Sequence, residues 1–215
     1  MTLLRSIEKR CAICGAPNIY DFVISSHDID GPDLDTRPGN DYRNTMWTWL
    51  QECTCCKYVA PDISREPSIP LDYIESTQYI TCEGINFQSS TSIRAYRYYL
   101  IKSLNKDLQG AFLATLWATW ACDDVKDTES AEICRKKAIS VADEIIKKEG
   151  KKCGTIYLIR LDLMRRAGMF TQATNEYSKY VLRFEKNTRI RQIIDFQIQK
   201  IKEQDTQVYR IRDIY

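Results

Sequence analysis

Two hydrophobic rhythms divide this chain. In the first ninety residues, apolar and polar positions alternate in short runs. Ile19-Tyr-Asp-Phe-Val-Ile24 predicts a β-strand, and Met46-Trp-Thr-Trp-Leu-Gln-Glu52 alternates in the manner of a second. Between them, Asp28 to Asp41 is punctuated by Gly31-Pro32 and Pro38-Gly39 and predicts a loop. Pro61, Pro67 and Pro70 then break the chain. From about residue 91 the period lengthens to that of a helix. Ala111, Leu113, Ala114, Leu116, Trp117, Trp120 and Ala121 crowd one broad face, which predicts a largely buried helix. Ala131, Cys134, Ala138, Val141, Ala142, Ile145 and Ile146 line a second helix, closed by Glu149-Gly150-Lys151. A third starts near Thr155 and turns at Ala167-Gly168-Met169, and a fourth runs through Glu176 to Phe184. A last one carries Ile190, Ile193, Ile194, Ile198 and Ile201 on one side. The pattern predicts an α+β protein, a small β domain over 1–88 and an all-α domain of helical hairpins over 89–215.

Cysteine placement gives the β part its chemistry. Cys11-Ala-Ile-Cys14 and Cys53-Thr-Cys55-Cys56 form two CxxC pairs, each able to bend a short turn so that two thiolates face one ion. Gly15 suits the left-handed backbone such a knuckle uses, whereas Lys57 stands where the second knuckle would want a glycine. Cys11, Cys14, Cys53 and Cys56 are the expected ligands of a structural Zn²⁺ in a zinc ribbon. The same ligands could hold an iron–sulfur cluster, and the spacing does not separate the two. Cys55 is a spare thiol beside the site. Cys82, Cys122, Cys134 and Cys153 sit singly among apolar residues and read as buried small hydrophobes. Nine cysteines, an odd number, with no apolar core at the N-terminus argue against a disulfide framework and for a reducing compartment, the cytoplasm.

Charge narrows the function. Residues 1–90 carry 7 Lys/Arg and 13 Asp/Glu, and the remainder 24 and 16, so an acidic front balances a basic back within a net charge of +2. An acidic ribbon lacks the basic face that phosphate neutralisation needs. No apolar run approaches the length of a membrane span. His27, the one histidine, lies in the polar stretch Ser25-Ser-His-Asp28 and reads as a solvated loop residue. Asp28, Asp30, Asp33 and Asp35 lack the flanking helices and closing glutamate of a calcium loop. Four thiolates close a metal site to water, so no catalytic residue is expected and the chain reads as non-enzymatic.

Arg165-Arg-Ala-Gly168-Met-Phe170-Thr-Gln-Ala173-Thr-Asn-Glu-Tyr177 resembles the second half of a tetratricopeptide repeat, with small residues at the helix turn and aromatics filling the gap. Cys11-Ala-Ile-Cys14-Gly15, Asp33-Leu-Asp-Thr-Arg-Pro38, Trp49 to Tyr58 and Trp117 to Asp124 together resemble an uncharacterised bacterial family that joins a CxxC…CxxC ribbon to TPR-like helices. Its second knuckle usually reads Cys-Pro-x-Cys-Gly-Tyr, and here Thr54 and Lys57 replace Pro and Gly. The resemblance implies metal ligands and architecture, and no activity. For Asp33 to Pro38 a structural role, with Arg37 pairing Asp33 or Asp35, is expected over a partner-contact role.

The leading expectation is a zinc-stabilised interaction module whose basic helical half receives a protein or peptide, an acidic one by charge. Alternatives are nucleic-acid binding through Lys147, Lys148, Lys151, Lys152, Arg183, Arg189, Arg191 and Lys200, or a thiol and zinc redox sensor using Cys55.

Overall fold

The computed structural model describes residues 2–27, 30–67, 69–150, 154–181 and 188–215. The architecture is α+β, with two small antiparallel hairpins followed mainly by helices. Two compact units emerge, one of residues 1–29 and 40–134, the other of 30–39 and 135–215. The first therefore takes in the region expected as a ribbon over 1–88, except residues 30–39, together with the first long helices of the 89–215 region.

In the first unit, β1 (Leu3–Arg10) pairs antiparallel with β2 (Pro17–Ser25), from Leu3↔Ser25 down to Arg10↔Pro17. A four-residue helix α1 (Asn40–Arg43) and a 3-10 turn at Met46–Thr48 precede the second hairpin. That hairpin is β3 (Gln51–Glu52) with β4 (Val59–Ala60). The strand expected over Met46–Glu52 is thus only its last two residues. The Thr48 and Trp49 amides donate to the Thr45 and Met46 carbonyls instead, and Trp49 Nε1 donates to Thr45 Oγ1. Local bonds from a threonine beat the alternating pattern.

Helices α2 (Leu71–Glu75) and α3 (Thr77–Ile80) follow, short pieces with no periodicity to announce them. Helix α4 (Ser90–Leu104) starts at Ser89, whose hydroxyl accepts from the Ser92 amide. Helix α5 (Leu108–Asp124) starts at Asp107, whose carboxylate accepts from the Gly110 amide. A three-residue link folds α5 back on α4. Ala111, Phe112, Ala114, Leu116, Ala118, Trp120, Ala121 and Cys122 are buried, so α5 is largely buried as expected, although Leu113, placed on the same face by the sequence, is 42% exposed. Each large side chain so buried contributes about 1.5–3 kcal/mol. Cys82, Cys122 and Cys134 are buried as small hydrophobes, while Cys153 lies outside the described residues. Helix α6 (Thr128–Glu149) begins in this unit, at Asp127, which accepts from the Ser130 and Gln88 amides.

The second unit holds the rest of α6, then α7 (Gly154–Arg166), α8 (Phe170–Tyr180) and α9 (Arg189–Lys202). Gly168, at φ 70°, lets the Gly168 and Met169 amides reach back to the carbonyls of Arg165 and Met164 and close α7 before α8 begins. The fourth predicted helix starts earlier than expected, and its predicted end at Phe184 falls outside the described residues. Asp30 to Gly39 belongs to this unit and pairs with the C-terminal tail. The Leu34 amide donates to the Tyr209 carbonyl, the Ile211 amide to Pro32, and Asp33 bridges Arg210.

This loop is buried, with Asp33, Leu34, Asp35 and Arg37 each at 5% exposure or less. Arg37 closes the turn through its backbone, its amide donating to Asp35 Oδ1 and its carbonyl accepting from Asp33. Asp35 also pairs with Arg166 of α7, at 2.9 Å, with side-chain exposures of 5% for Arg166 and 0% for Asp35. Asp162 and Arg165 form a second buried pair at 2.7 Å, and Arg165 also donates to the Asp205 carbonyl. Removing one member of such a pair strands a buried charge. Replacing Arg166 by alanine is therefore expected to destabilise the second unit by about 3–5 kcal/mol in urea unfolding. A loss under about 1 kcal/mol would place the Asp35 pair among surface contacts.

Candidate metal centre

Each hairpin turn carries one cysteine pair, and the two turns share one hydrogen-bond pattern. In the first, the Cys11 amide donates to the Ala16 carbonyl at 3.0 Å and the Gly15 amide to the Cys11 carbonyl at 2.9 Å. In the second, the Cys53 amide donates to Tyr58 at 2.9 Å and the Lys57 amide to Cys53 at 3.0 Å. The residue after each pair is left-handed, Gly15 at φ 71° and Lys57 at φ 64°. Lys57 thus adopts the glycine conformation that its side chain disfavours by about 1–2 kcal/mol. No atom lies within 4 Å of where a Cβ on Gly15 would stand, so glycine is wanted there for its backbone and not for room.

The knuckles bring together the four predicted sulfurs. Cys11 Sγ lies 3.7 Å from Cys56 Sγ, Cys14 Sγ 3.5 Å from Cys53 Sγ, and all four lie within 4.8 Å of one another. A zinc ion with Zn–S bonds near 2.3 Å needs a tetrahedron with edges of about 3.8 Å. The set fits a metal such as zinc with little adjustment. It is the one such group of histidine, cysteine or carboxylate side chains among the described residues.

Several side chains that carry no motif hold the two turns in place. Asn18 Nδ2 donates to the Ala16 carbonyl and, at 4.0 Å, to Cys53 Sγ, while its Oδ1 accepts from the Thr54 hydroxyl at 2.6 Å. Thr54, where the resembling family has proline, therefore clasps one knuckle to the other. The Tyr20 hydroxyl donates to the Glu52 carbonyl and the Tyr79 hydroxyl to the Lys57 carbonyl. Arg94 and Arg97 of α4 reach the second hairpin, one donating to the Leu50 carbonyl and the other pairing Glu52 at 2.8 Å. Lys9 pairs Asp62 at 2.7 Å, and this hydrogen bond, with that of Ser64, holds the Asp62 carboxyl down to about 2. None of these partners was visible as a site residue in the sequence, because the bonds that tie the knuckles to each other and to the helices span 22 residues or more.

The sulfurs differ in surroundings. Cys11 and Cys53 are buried, Cys56 is half-buried, and Cys14 is exposed. Burial pushes the Cys11 and Cys56 thiols up, while the Ala16 amide donating to Cys14 holds that thiol down to about 6. A divalent cation would draw all four into the thiolate form, and each raised thiol must give up its proton to bind.

Elsewhere the structure is plain. His27 is exposed. Asp30 pairs Arg210 and Arg212, and Asp35 pairs Arg166, so these acids meet guanidinium groups and gather no cation site. Asp28, the fourth acid of that run, lies outside the described residues. Trp49 packs on Tyr42 and Trp117 as core, whereas Trp47 is 44% exposed. No family model, curated protein or solved structure matches this chain.

Two outcomes follow for the knuckles. Because protons must leave Cys11 and Cys56, zinc affinity should rise as pH climbs from 6 to 8, read by chelator competition; a flat profile would show that no thiol proton is displaced. Lys57→Gly should stabilise the zinc-loaded chain by about 0.5–1 kcal/mol and Gly15→Ala destabilise it by about 1 kcal/mol, in thermal unfolding. Equal effects of the same sign would contradict the left-handed assignments.

Proposed function

We propose that this chain is a non-enzymatic protein-interaction module whose ribbon is held by a structural Zn²⁺ on Cys11, Cys14, Cys53 and Cys56. The observation that carries this reading is the closed set of four sulfurs, which leaves no position for water or substrate on the metal. The geometry suits a zinc ribbon as well as the cysteine spacing does, and the reading keeps the bacterial ribbon-plus-TPR-like family as the kind of protein it resembles. Within the helical unit, the Gly168 turn and the fully buried Ala173 are consistent with a TPR-like hairpin.

Charge supports an acidic protein or peptide as partner. The first unit carries 11 Lys/Arg against 16 Asp/Glu and the second 20 against 13, balances of −5 and +7. Lys147 and Lys148 are exposed at the end of α6. Lys151, Lys152 and Arg183, counted with them in the sequence, lie outside the described residues. Among the described residues no helix is long and apolar enough to cross a membrane. A cytoplasmic setting, where thiols stay reduced, belongs to the same proposal.

Metal content and partner capture test it together. The purified chain should contain one zinc and no iron, and a chelator should perturb tryptophan fluorescence while far-ultraviolet helicity largely survives. All four tryptophans, Trp47, Trp49, Trp117 and Trp120, belong to the ribbon-bearing unit and report on it alone. The loaded chain should retain an acidic protein that the Lys147→Glu, Lys148→Glu double variant retains at least about fivefold less well. Absence of metal, or capture that ignores the charge reversal, would overturn the reading.

A further inference from the structure

Within the first unit, β2, β3 and the start of α4 line an open cleft of about 450 Å³, a volume on the scale of a ligand site. Its acids have partners and its bases do not. Glu52 pairs Arg97 at 2.8 Å, and Asp21 accepts from the Ser6 hydroxyl. Arg94 spends three of its five N–H groups on oxygens of Ser90, Leu50 and Thr91. Among the described residues, neither Arg94 nor Lys57, both in the lining, has a carboxylate within ion-pair distance. Arg94 is half-buried and keeps two N–H groups of a planar fork that suits a carboxylate. Ser90 opens α4 beside it. The Ser92 and Ile93 amides turn back to Ser89, which leaves those of Ser90 and Thr91 as the open donors of the helix N-terminus. Gln51 adds an independent sign at the floor of the cleft. It is 1% exposed, its Oε1 accepts from the Ile63 amide at 2.9 Å, and its Nε2 has no partner. A buried amide donor of this kind wants an acceptor, and a ligand oxygen supplies one. Trp47 and Ile19, 44% and 73% exposed, give the cleft an apolar rim.

We propose that this cleft binds a carboxylate side chain of an acidic peptide through Arg94 and the N-terminus of α4, with a neighbouring apolar side chain laid on Trp47 and Ile19. The proposal rests on the reading of the chain as an interaction module and names one place where an acidic partner is received. That place belongs to the ribbon-bearing unit, whereas Lys147 and Lys148 belong to the second. Charge selects a carboxylate over a phosphate. Arg94, Lys57 and the supporting Arg97 face Asp21 and Glu52, three cations against two acids. The surplus is one positive charge, which a carboxylate neutralises and a nearly dianionic phosphate overshoots. A peptide also uses the apolar rim, which a bare anion leaves uncovered.

The probe is the peptide acetyl-Gly-Glu-Leu-Gly-amide, titrated into the zinc-loaded, nitrogen-15-labelled full chain. Binding is followed by NMR at the Trp47 indole N–H and the Arg94 Nε–H. Both signals should move together, and the same peptide with glutamine for glutamate should bind at least about tenfold more weakly. Arg94→Gln and Trp47→Ala should each weaken binding at least about fivefold, while the Lys147→Glu, Lys148→Glu double variant binds the peptide like the parent. Trp47→Ala truncates an exposed side chain and should keep the parent's zinc content, so it tests the cleft even where Arg94→Gln disturbs the second hairpin. Equal affinity for the two peptides, an unchanged affinity in Trp47→Ala, or inorganic phosphate binding more tightly than the peptide would overturn the proposal. If an acidic protein is still captured through Lys147 and Lys148 in that event, the cleft falls and the interaction reading stands. A chain that neither captures an acidic protein nor binds the peptide loses both.

Discussion

Everything in the ribbon depends on four sulfurs being held within 4.8 Å of one another. The strands that carry them are weak on their own. β1 is exposed along almost its whole length, and β3 and β4, though largely buried, are two residues each. Strands so exposed or so short do not by themselves offset the entropy of ordering them. Four sulfurs this close also repel once ionised, so a cation is the natural partner that turns the arrangement from a cost into a constraint.

The knuckles are then fixed from outside by polar reach. Arg97 illustrates the economy of this. One guanidinium pairs Glu52, which precedes the ligand Cys53, and also donates to the Ile80 carbonyl at the end of α3. The helix and the second hairpin are thereby placed by the same residue. Tyr79 and Asn18 act similarly, each spending a polar group on backbone or side chain near a ligand. Arg97 is only 8% exposed, and truncating it would leave Glu52 and a carbonyl without their donor.

In the second unit the organising interaction is a set of buried ion pairs. Asp35 and Asp162 meet Arg166 and Arg165 on one helix with almost no solvent. Burial pushes the Asp162 carboxyl up even with Arg165 beside it, the mark of a charge held where water is scarce. Such pairs give less stability than hydrophobic packing would, but they demand one arrangement, because any other strands a charge. They explain why residues 30–39 belong with helices more than a hundred positions away and not with the ribbon that flanks them in sequence.

The chain's own pattern determined much of this. The cysteine spacing named all four sulfurs, since two-residue gaps close a knuckle whatever surrounds it. The α+β class and the long helices followed from hydrophobic period and from Gly168, local signals written within a turn or two. Tertiary structure alone decided the rest. It shortened the strand at Met46–Glu52, because Thr45 offers hydrogen bonds that alternation cannot reveal. It put Lys57 into a glycine's conformation and made Asn18 and Thr54 a clasp across 36 positions. It also took Asp35 from an acidic loop into a buried pair with Arg166, 131 residues on. Period and spacing record local geometry, whereas a buried charge chooses its partner by proximity in the folded chain.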